Sequence, residues 1–352
     1  VENLQLVDTI GFFSLNLIFI TFFFLPVILF FQNRIKYFIF SILLVLLFSN
    51  YFYGSYKINS KELDTNLYKL NFKIVTAGID LSEFKNQKLV LSKLILMSEP
   101  NKDQKTIFVW PEGVILDENF KNTKELKKMI KDNFSEKHLI ILGANTKKKE
   151  NINTDYFNSF IIIDKDFNII SQYNKQKLVP FGEFLPFEKI LKKIGLKKIT
   201  SGYNSFSKGK DDTIISLKFD EQIINILPLI CYEIIFPNLL ENKKKYFNFI
   251  INISEDAWFG DSIGPQQHFA KAIFRSIETG SFTVRSANKG ISAFISPQGK
   301  ILKTLKSSEF GNIEMNLPIS KSKNTKVNKY LIFTLLLIIY AITFLVLKKF
   351  KL

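Results

Sequence analysis

The chain has 352 residues, enough for one large domain or two ordinary ones, and 47% of them are hydrophobic, a high share for a purely soluble protein. Its formal net charge is +16, yet only three of the 48 basic residues are arginine, and the lysines are scattered. This argues against a nucleic-acid surface, which usually clusters its charge and uses arginine. We interpret the lysines as background composition, with attraction to anionic lipid as a secondary role. The single cysteine excludes an intrachain disulfide.

Two apolar runs near the N-terminus predict a hairpin of membrane-spanning helices. Residues 10–31 carry no charge and are long enough to cross a bilayer, which takes about 20 residues. Pro26 should distort this helix. A signal peptide is the alternative, but the acidic Glu2 and Asp8 stand where its positive start belongs. Residues 37–53 form the second run, and the aromatic residues at its end suit the membrane interface.

A third apolar run, residues 330–347, predicts a membrane helix after the central domain. The chain then divides into a two-helix segment, a central domain and a C-terminal helix with a basic tail, at residues 1–56, 57–325 and 326–352. Short loops rich in Lys and Arg lie in the cytoplasm, and the link between the first two helices carries Arg34 and Lys36, which places the central domain outside the cytoplasm. Four lysines before the last helix favour the opposite orientation: Lys321, Lys323, Lys326 and Lys329.

The central domain alternates β-rich runs with helical ones, which predicts an α/β domain with one mixed sheet system sandwiched by helices. The predicted strands are residues 72–77, 106–110, 139–143, 157–163, 169–173, 223–230, 247–253 and 291–295. The predicted helices are residues 89–97, 123–132 and 266–279.

Chemistry-bearing side chains stand at the ends of several predicted strands. Cys231 ends the apolar run Ile223 to Ile230, which predicts a nucleophile at the rim of a sheet, although a lone cysteine there is also typical of a core. Glu112 follows a strand and a proline, where a solvated loop residue or helix cap is the alternative. Lys175 ends another strand, where a surface lysine is the alternative.

Read in order, these stretches resemble the nitrilase (carbon-nitrogen hydrolase) superfamily, and more closely its membrane branch, the apolipoprotein N-acyltransferases. The matching segments are 110–112 (WPE), 173–175 (YNK), 178–186 (LVPFGEFLP), 230–233 (ICYE), 256–260 (DAWFG), 263–269 (IGPQQHF) and 296–299 (SPQG). The resemblance implies an α-β-β-α sandwich flanked by transmembrane helices. It also implies a catalytic triad of Glu112, Lys175 and Cys231 that needs no metal or cofactor.

The implied activity is N-acyl transfer from a phospholipid, through a Cys231 thioester, to the α-amino group of the diacylglyceryl-cysteine of a lipoprotein. Glu112 would be the base, while Lys175 and the backbone N–H of Tyr232 would bind the oxyanion. The implied location is the bacterial inner membrane, with the domain on the periplasmic side, and we expect a monomer. Two alternatives stay open: a membrane-tethered nitrilase or amidase with the same triad, and a non-catalytic scaffold.

Further residues near the triad match the family. Glu183 and Glu233 should orient Lys175 and shape the site, or else serve as salt-bridged scaffold carboxylates. Trp258 and Phe259 should border an acyl channel, with core packing as the alternative. The stretch 184–198, with Phe184 and Phe187, predicts a basic amphipathic helix that lies in lipid headgroups or packs on the domain.

Some features depart from the family or stand outside it. Gly78 and Glu255 replace residues usual in the family, and neither is expected to touch the triad. The family has more N-terminal helices than the two found here, so the chain is either a shortened member or, as we expect, one with further helices upstream. His138 and His268 have too few companions to predict a metal site, and His268 should seat the preceding loop. Three charged residues are expected to be structural, with an i,i+3 pair between the first two: Arg275, Glu278 and Arg285.

Overall fold

The computed structural model describes residues 1–30, 32, 34–60, 67–116, 123–150, 153–187, 205–210, 214–241, 246–322 and 328–349. Its helices are α1 (Val7–Ile10), α2 (Phe12–Phe23), α3 (Ile35–Ser60), α4 (Gln87–Ser98), α5 (Lys124–Asn133), α6 (Asn238–Glu241), α7 (Gly264–Thr279) and α8 (Lys329–Lys349). Its strands are β1 (Lys69–Thr76), β2 (Thr106–Val109), β3 (His138–Glu150), β4 (Asn153–Ile163), β5 (Ile169–Asn174), β6 (Ile215–Phe219), β7 (Gln222–Ile230), β8 (Phe249–Glu255), β9 (Phe282–Asn288), β10 (Ser292–Ile295), β11 (Ile301–Leu305) and β12 (Gly311–Pro318).

These strands form two six-stranded mixed sheets, ordered β12-β1-β2-β3-β4-β5 and β11-β10-β9-β8-β7-β6. Three strands in the middle of each sheet are parallel: β1, β2 and β3 in the first, and β7, β8 and β9 in the second. Since the carboxyl ends of parallel strands share one edge, the loops after β2, β7 and β8 can meet.

The two sheets pack face to face, and their facing side chains form the largest hydrophobic cluster. The rings of Phe72 on β1 and Phe249 on β8 lie 4.9 Å apart across this interface. Helices α4 and α5 cover the outer face of the first sheet, and α7 covers that of the second. Strands buried on both faces explain the near-continuous apolar runs in the sequence. The order of layers is α-β-β-α, as the resemblance implied.

Among the described residues, three helical segments are long and apolar enough to cross a membrane: Phe12–Phe30, Ile35–Ser60 and Lys329–Val346. In the first, the α-helix gives way to a 3₁₀ turn over Leu25–Phe30, so the distortion expected at Pro26 is present. The second extends beyond the predicted residues 37–53 at both ends.

The start of the first apolar segment packs against the domain beside α7. Val7 and Leu15 form a small buried cluster with Ile277 of α7. The ion pair of Lys329 Nζ with Glu278 Oε1, at 3.5 Å, ties the start of α8 to the same helix. The first and third apolar segments are therefore held against the α7 side of the sandwich.

Candidate active site

Glu112, Lys175 and Cys231 meet at the end of the sandwich, where the two sheets present their loops. Glu112 follows β2 and Lys175 follows β5, both in the first sheet, whereas Cys231 follows β7 in the second. All three line one largely apolar cavity of about 540 Å³, a size typical of small-molecule sites. The other residues lining it are Val179, Pro180, Gly182, Glu183, Tyr232, Ile235, Glu255, Trp258, Phe259, Gly264, Gln267, His268 and Lys271.

The carboxylate of Glu112 is buried and fixed by three donors. Its Oε1 accepts from Asn158 Nδ2 at 2.7 Å and from Lys175 Nζ at 3.3 Å, and its Oε2 accepts from the N–H of Glu255 at 2.9 Å. Gly143 makes room for the backbone of Glu112, because a Cβ on Gly143 would lie 2.6 Å from the Cα of Glu112. The carboxylate is thus held in one orientation facing the cavity.

Lys175 is fully buried between two carboxylates. Its Nζ lies 2.8 Å from Glu183 Oε1 in addition to its contact with Glu112. Burial alone would lower the pKa of Lys175, but the negative charges of Glu112 and Glu183 raise it well above its usual value. The side chain is therefore a fixed cation, suited to stabilising a developing negative charge rather than to accepting a proton.

Asn158, which the sequence did not single out, joins the two acids. Its Nδ2 donates to Glu112 at 2.7 Å and to Glu183 Oε1 at 2.8 Å. The available signal was a polar residue inside the apolar run of β4. Glu183 Oε2 also accepts from the N–H of Val179 at 2.8 Å, so Glu183 contacts both Lys175 and the backbone of the loop that follows it.

Cys231 lies directly after β7 in a left-handed backbone conformation, with φ of 47°. Such a conformation is strained for a non-glycine residue and is often found at functional sites. Burial and the charge of Glu112 raise the pKa of the Cys231 thiol, while Lys175 opposes them. The resting sulfur is therefore a thiol that needs a base when it reacts. The next residue, Tyr232, is at the start of a 3₁₀ turn, where its N–H has no acceptor within that turn.

Glu233 fastens the loop that carries Lys175 to the turn that carries Cys231. It is fully buried, and its Oε1 accepts from the Tyr173 hydroxyl at 2.8 Å and from the N–H of Gln176 at 2.7 Å, while its Oε2 accepts from the N–H of Ile230 at 2.9 Å. Burial raises the pKa of Glu233, and the backbone donors oppose this. Glu233 thus joins the two sheets at the site.

A second buried network holds Cys231 from the side of α7. The N–H at Nε2 of His268 donates to the carbonyl of Cys231 at 3.1 Å, and Nδ1 lies 3.0 Å from Asp256 Oδ1. Asp256 Oδ2 pairs with Arg285 at 2.7 Å. His268 therefore does contact the preceding loop, and Arg285, which had no partner assignable from the sequence, has Asp256. The expected pair of Arg275 with Glu278 is also present, at 2.8 Å.

The structure brings two possible metal ligands close to His268, because segments that are distant in the sequence converge there. Donor atoms of Cys231, Asp256 and His268 all lie within 4.8 Å of one another. However, both oxygens of Asp256 and both nitrogens of His268 already make hydrogen bonds. A cation would have to displace Arg285, so these donors fit a hydrogen-bonded scaffold better than a metal site.

The predicted lipid-contact residues fall into two groups. Trp258 and Phe259 line the cavity and are partly exposed, at 57% and 39%. Phe184 and Phe187 are described but do not line the cavity, and Phe187 is 80% exposed. The rest of the predicted amphipathic helix, from residue 188 to 198, lies outside the described residues.

Glu255 corrects one expectation, since it was predicted not to touch the triad. Its N–H donates to Glu112, and its carboxyl group, 6% exposed, lines the cavity and accepts from Asn288 Nδ2 at 3.0 Å. Burial raises the pKa of Glu255 well above its usual value, and the neighbouring Glu112 adds to this. Asn288 also contacts Ile79, beside the second departure at Gly78.

The arrangement of acid, lysine and cysteine can be compared with known proteins. The sequence profile of the carbon-nitrogen hydrolase family matches residues 84–326, more than half of the chain. The chain belongs to the carbon-nitrogen hydrolase family.

Curated carbon-nitrogen hydrolase relatives make the resemblance more specific. The apolipoprotein N-acyltransferase of Allorhizobium ampelinum is 32% identical over 288 residues, which are 78% of this chain and 53% of that protein. The apolipoprotein N-acyltransferase of Rickettsia prowazekii is 31% identical over 288 residues, 81% of this chain and 56% of that protein. The predicted similarity to apolipoprotein N-acyltransferases is confirmed, and the chain spans about half the length of these relatives.

A solved structure from the same superfamily shows the same fold. Nit3 of Saccharomyces cerevisiae, a member of branch 10 of the nitrilase superfamily, is 18% identical to this chain and has a TM-score of 0.51. The match covers 73% of this chain and 93% of Nit3. This likeness confirms the nitrilase-like sandwich.

Proposed function

We propose that this protein is a membrane-bound N-acyltransferase. It moves a fatty acyl chain from a phospholipid, through a thioester on Cys231, to the α-amino group of the N-terminal diacylglyceryl-cysteine of a lipoprotein. The observation that carries this proposal is the placement of Glu112, Lys175 and Cys231 in a largely apolar cavity of a chain whose described part includes three long apolar helices. The name of the curated relatives supports the same assignment.

In the first half-reaction Glu112 takes the thiol proton as Cys231 Sγ attacks an ester carbonyl of the phospholipid. The carbonyl oxygen becomes an oxyanion, which Lys175 Nζ and the N–H of Tyr232 stabilise; one such donor is worth about 3 kcal/mol. The ester C–O bond then breaks, and Glu112 returns the proton to the alcohol oxygen of the leaving lysophospholipid. The acyl chain remains on sulfur as a thioester.

In the second half-reaction the α-amine of the acceptor attacks the thioester carbonyl. Glu112 takes a proton from the attacking nitrogen, and Lys175 again faces the oxyanion. The C–S bond breaks, the thiolate regains a proton, and an amide leaves the site. Glu112 and Lys175 are buried and the cavity lining is largely apolar, so an acyl chain that fills the cavity would exclude water and favour transfer to the amine over hydrolysis.

The exposed aromatic side chains at the cavity support a lipid substrate. Trp258 and Phe259 present apolar surface to the outside of the domain while they line the cavity. In a chain held beside a bilayer, such rings suit contact with acyl chains and headgroups. The charges of Arg34 and Lys36 support placing the domain on the extracytoplasmic side of a bacterial inner membrane.

The deciding experiment measures where the acyl chain goes. The purified chain is incubated with acyl-labelled phospholipid and a synthetic peptide that begins with diacylglyceryl-cysteine. We expect label in amide linkage on the peptide, and none when Cys231 is replaced by alanine. Label released only as free fatty acid would favour the hydrolase alternative and overturn the proposal.

A further inference from the structure

Lys271 differs from the other lysine that lines the cavity. Lys175 is paired with two carboxylates, whereas no carboxylate in the described part of the chain lies within ion-pair distance of Lys271. Lys271 is on α7, one turn after His268 and on the helix face that lines the cavity. Among the residues that the structure describes, this cation of the cavity has no counter-ion.

The surroundings of Lys271 make its charge available for a ligand. Its Nζ lies 4.6 Å from the ring centre of Phe12 and 5.7 Å from that of Phe274, and the side chain is half-buried. Burial and the nearby Arg275 lower the pKa of Lys271. A partly desolvated cation that lies over the faces of aromatic rings is stabilised by a bound anion, because the anion neutralises its charge.

The position of Lys271 indicates which anion this is. Phe12 is the first residue of the first apolar segment, so Lys271 lies where the chain would enter the hydrocarbon layer. The phosphate groups of phospholipids lie just outside that layer. Since His268 contacts the carbonyl of Cys231, and Lys271 is about 4.5 Å further along the helix axis, the cation and the sulfur are close enough to engage one lipid.

We propose that Lys271 binds the phosphate of the acyl-donor phospholipid and so places the donor ester beside Cys231. Only the glycerol backbone separates phosphate from ester in such a lipid, which matches the single helical turn between His268 and Lys271. This inference rests on the proposed function, and it names Lys271 as a residue that determines donor specificity.

The test compares two donors with the same labelled acyl chains: phosphatidylglycerol, which has the phosphate, and diacylglycerol, which lacks it. The variants are Lys271→Met, Lys271→Arg and the control Lys128→Met, which removes an exposed lysine from α5. The initial rate of Cys231 acylation is measured against donor concentration in detergent micelles. We expect Lys271→Met to lower the ratio of kcat/KM for the phospholipid to that for diacylglycerol about tenfold or more, mainly through KM.

Lys271→Arg should keep most of the wild-type ratio, and Lys128→Met all of it. A wild-type ratio in Lys271→Met would overturn the proposal. A binding measurement separates this failure from failure of the proposed function, because it needs no acyl transfer. In a Cys231→Ala background, Lys271→Met should weaken binding of phosphatidylglycerol about tenfold relative to diacylglycerol; equal weakening of both, or of neither, contradicts the proposal. Displacement of the lipid by glycerol phosphate at the same concentration would show a site for free phosphate esters instead.

Discussion

Replacing Asp256 by asparagine should destabilise the domain at neutral pH and loosen the turn that presents the nucleophile. Asp256 and Arg285 are both fully buried, and their side chains are 2.7 Å apart. Burial alone would raise the pKa of Asp256, but Arg285 and His268 lower it from 3.8 to about 2. Since one pKa unit corresponds to about 1.4 kcal/mol, the charged carboxylate stabilises the folded state by about 2.5 kcal/mol.

The pH dependence of this contribution has a definite sign. A carboxyl group whose pKa is lower in the folded than in the unfolded chain stabilises fully above the unfolded value, near 4, and this is lost as the pH falls through about 2. Asparagine cannot carry the charge at any pH. We therefore expect the difference in stability between wild type and Asp256→Asn to be largest at pH 7 and to shrink toward pH 2.

Thermal unfolding of the purified chain in detergent, followed by tryptophan fluorescence at several pH values, measures this difference. For a domain of this size, 2.5 kcal/mol corresponds to a Tm lower by about 5–10 °C at pH 7. The matched control is Asp103→Asn, which changes a carboxylate that is 97% exposed and should leave the Tm unchanged. An unchanged Tm for Asp256→Asn at pH 7, or a loss that persists undiminished in acid, would refute the reasoning.

Three further substitutions test the rest of the site. Asn158→Ala removes the amide that donates to both Glu112 and Glu183, so the rate of Cys231 acylation should fall about tenfold in kcat with little change in KM, as measured by single-turnover kinetics. Lys175→Met removes an oxyanion donor and the cation between two carboxylates, and acylation should fall by about 10²–10³ in the same assay. The pKa of Glu255 is raised in the folded chain, so this carboxyl group ionises at lower pH in the unfolded chain, and the free energy of unfolding falls as the pH rises above about 4.5. Glu255→Gln should abolish this decline, as measured by the Tm between pH 5 and 8.

The sequence predicted the elements that apolar burial defines. The strands that end at Val109, Asn174 and Ile230 were all predicted: the first and third are short apolar runs, and the second is a short β-rich run that begins with two isoleucines. These are the strands that carry the triad, so their ends gave the three candidate residues, and the family resemblance then implied that they form a triad. The division into two sheets could not be derived from periodicity alone; it came from the family resemblance and is confirmed by the fold.

Strands and contacts that depend on buried polar residues were missed. β9 contains Arg285 and Ser286, both fully buried, and so lacks an apolar run. β12 is a partly exposed strand in which polar residues such as Glu314 stand between the apolar ones, so it also lacks an apolar run. The role of Asn158 and the contact of Glu255 with the triad depend on which strands meet in space, which one sequence does not specify.

The most direct test of the central claim is the mass of the intact protein after incubation with phospholipid alone, without an acceptor. Because Cys231 is the only cysteine, a hydroxylamine-sensitive increase by the mass of one acyl chain identifies the thioester. The mechanism predicts this adduct in the wild type, its loss on addition of the diacylglyceryl-cysteine peptide, and its absence in Glu112→Gln. A protein that acylates the peptide without ever carrying the adduct, or that carries it equally well in Glu112→Gln, would contradict the mechanism.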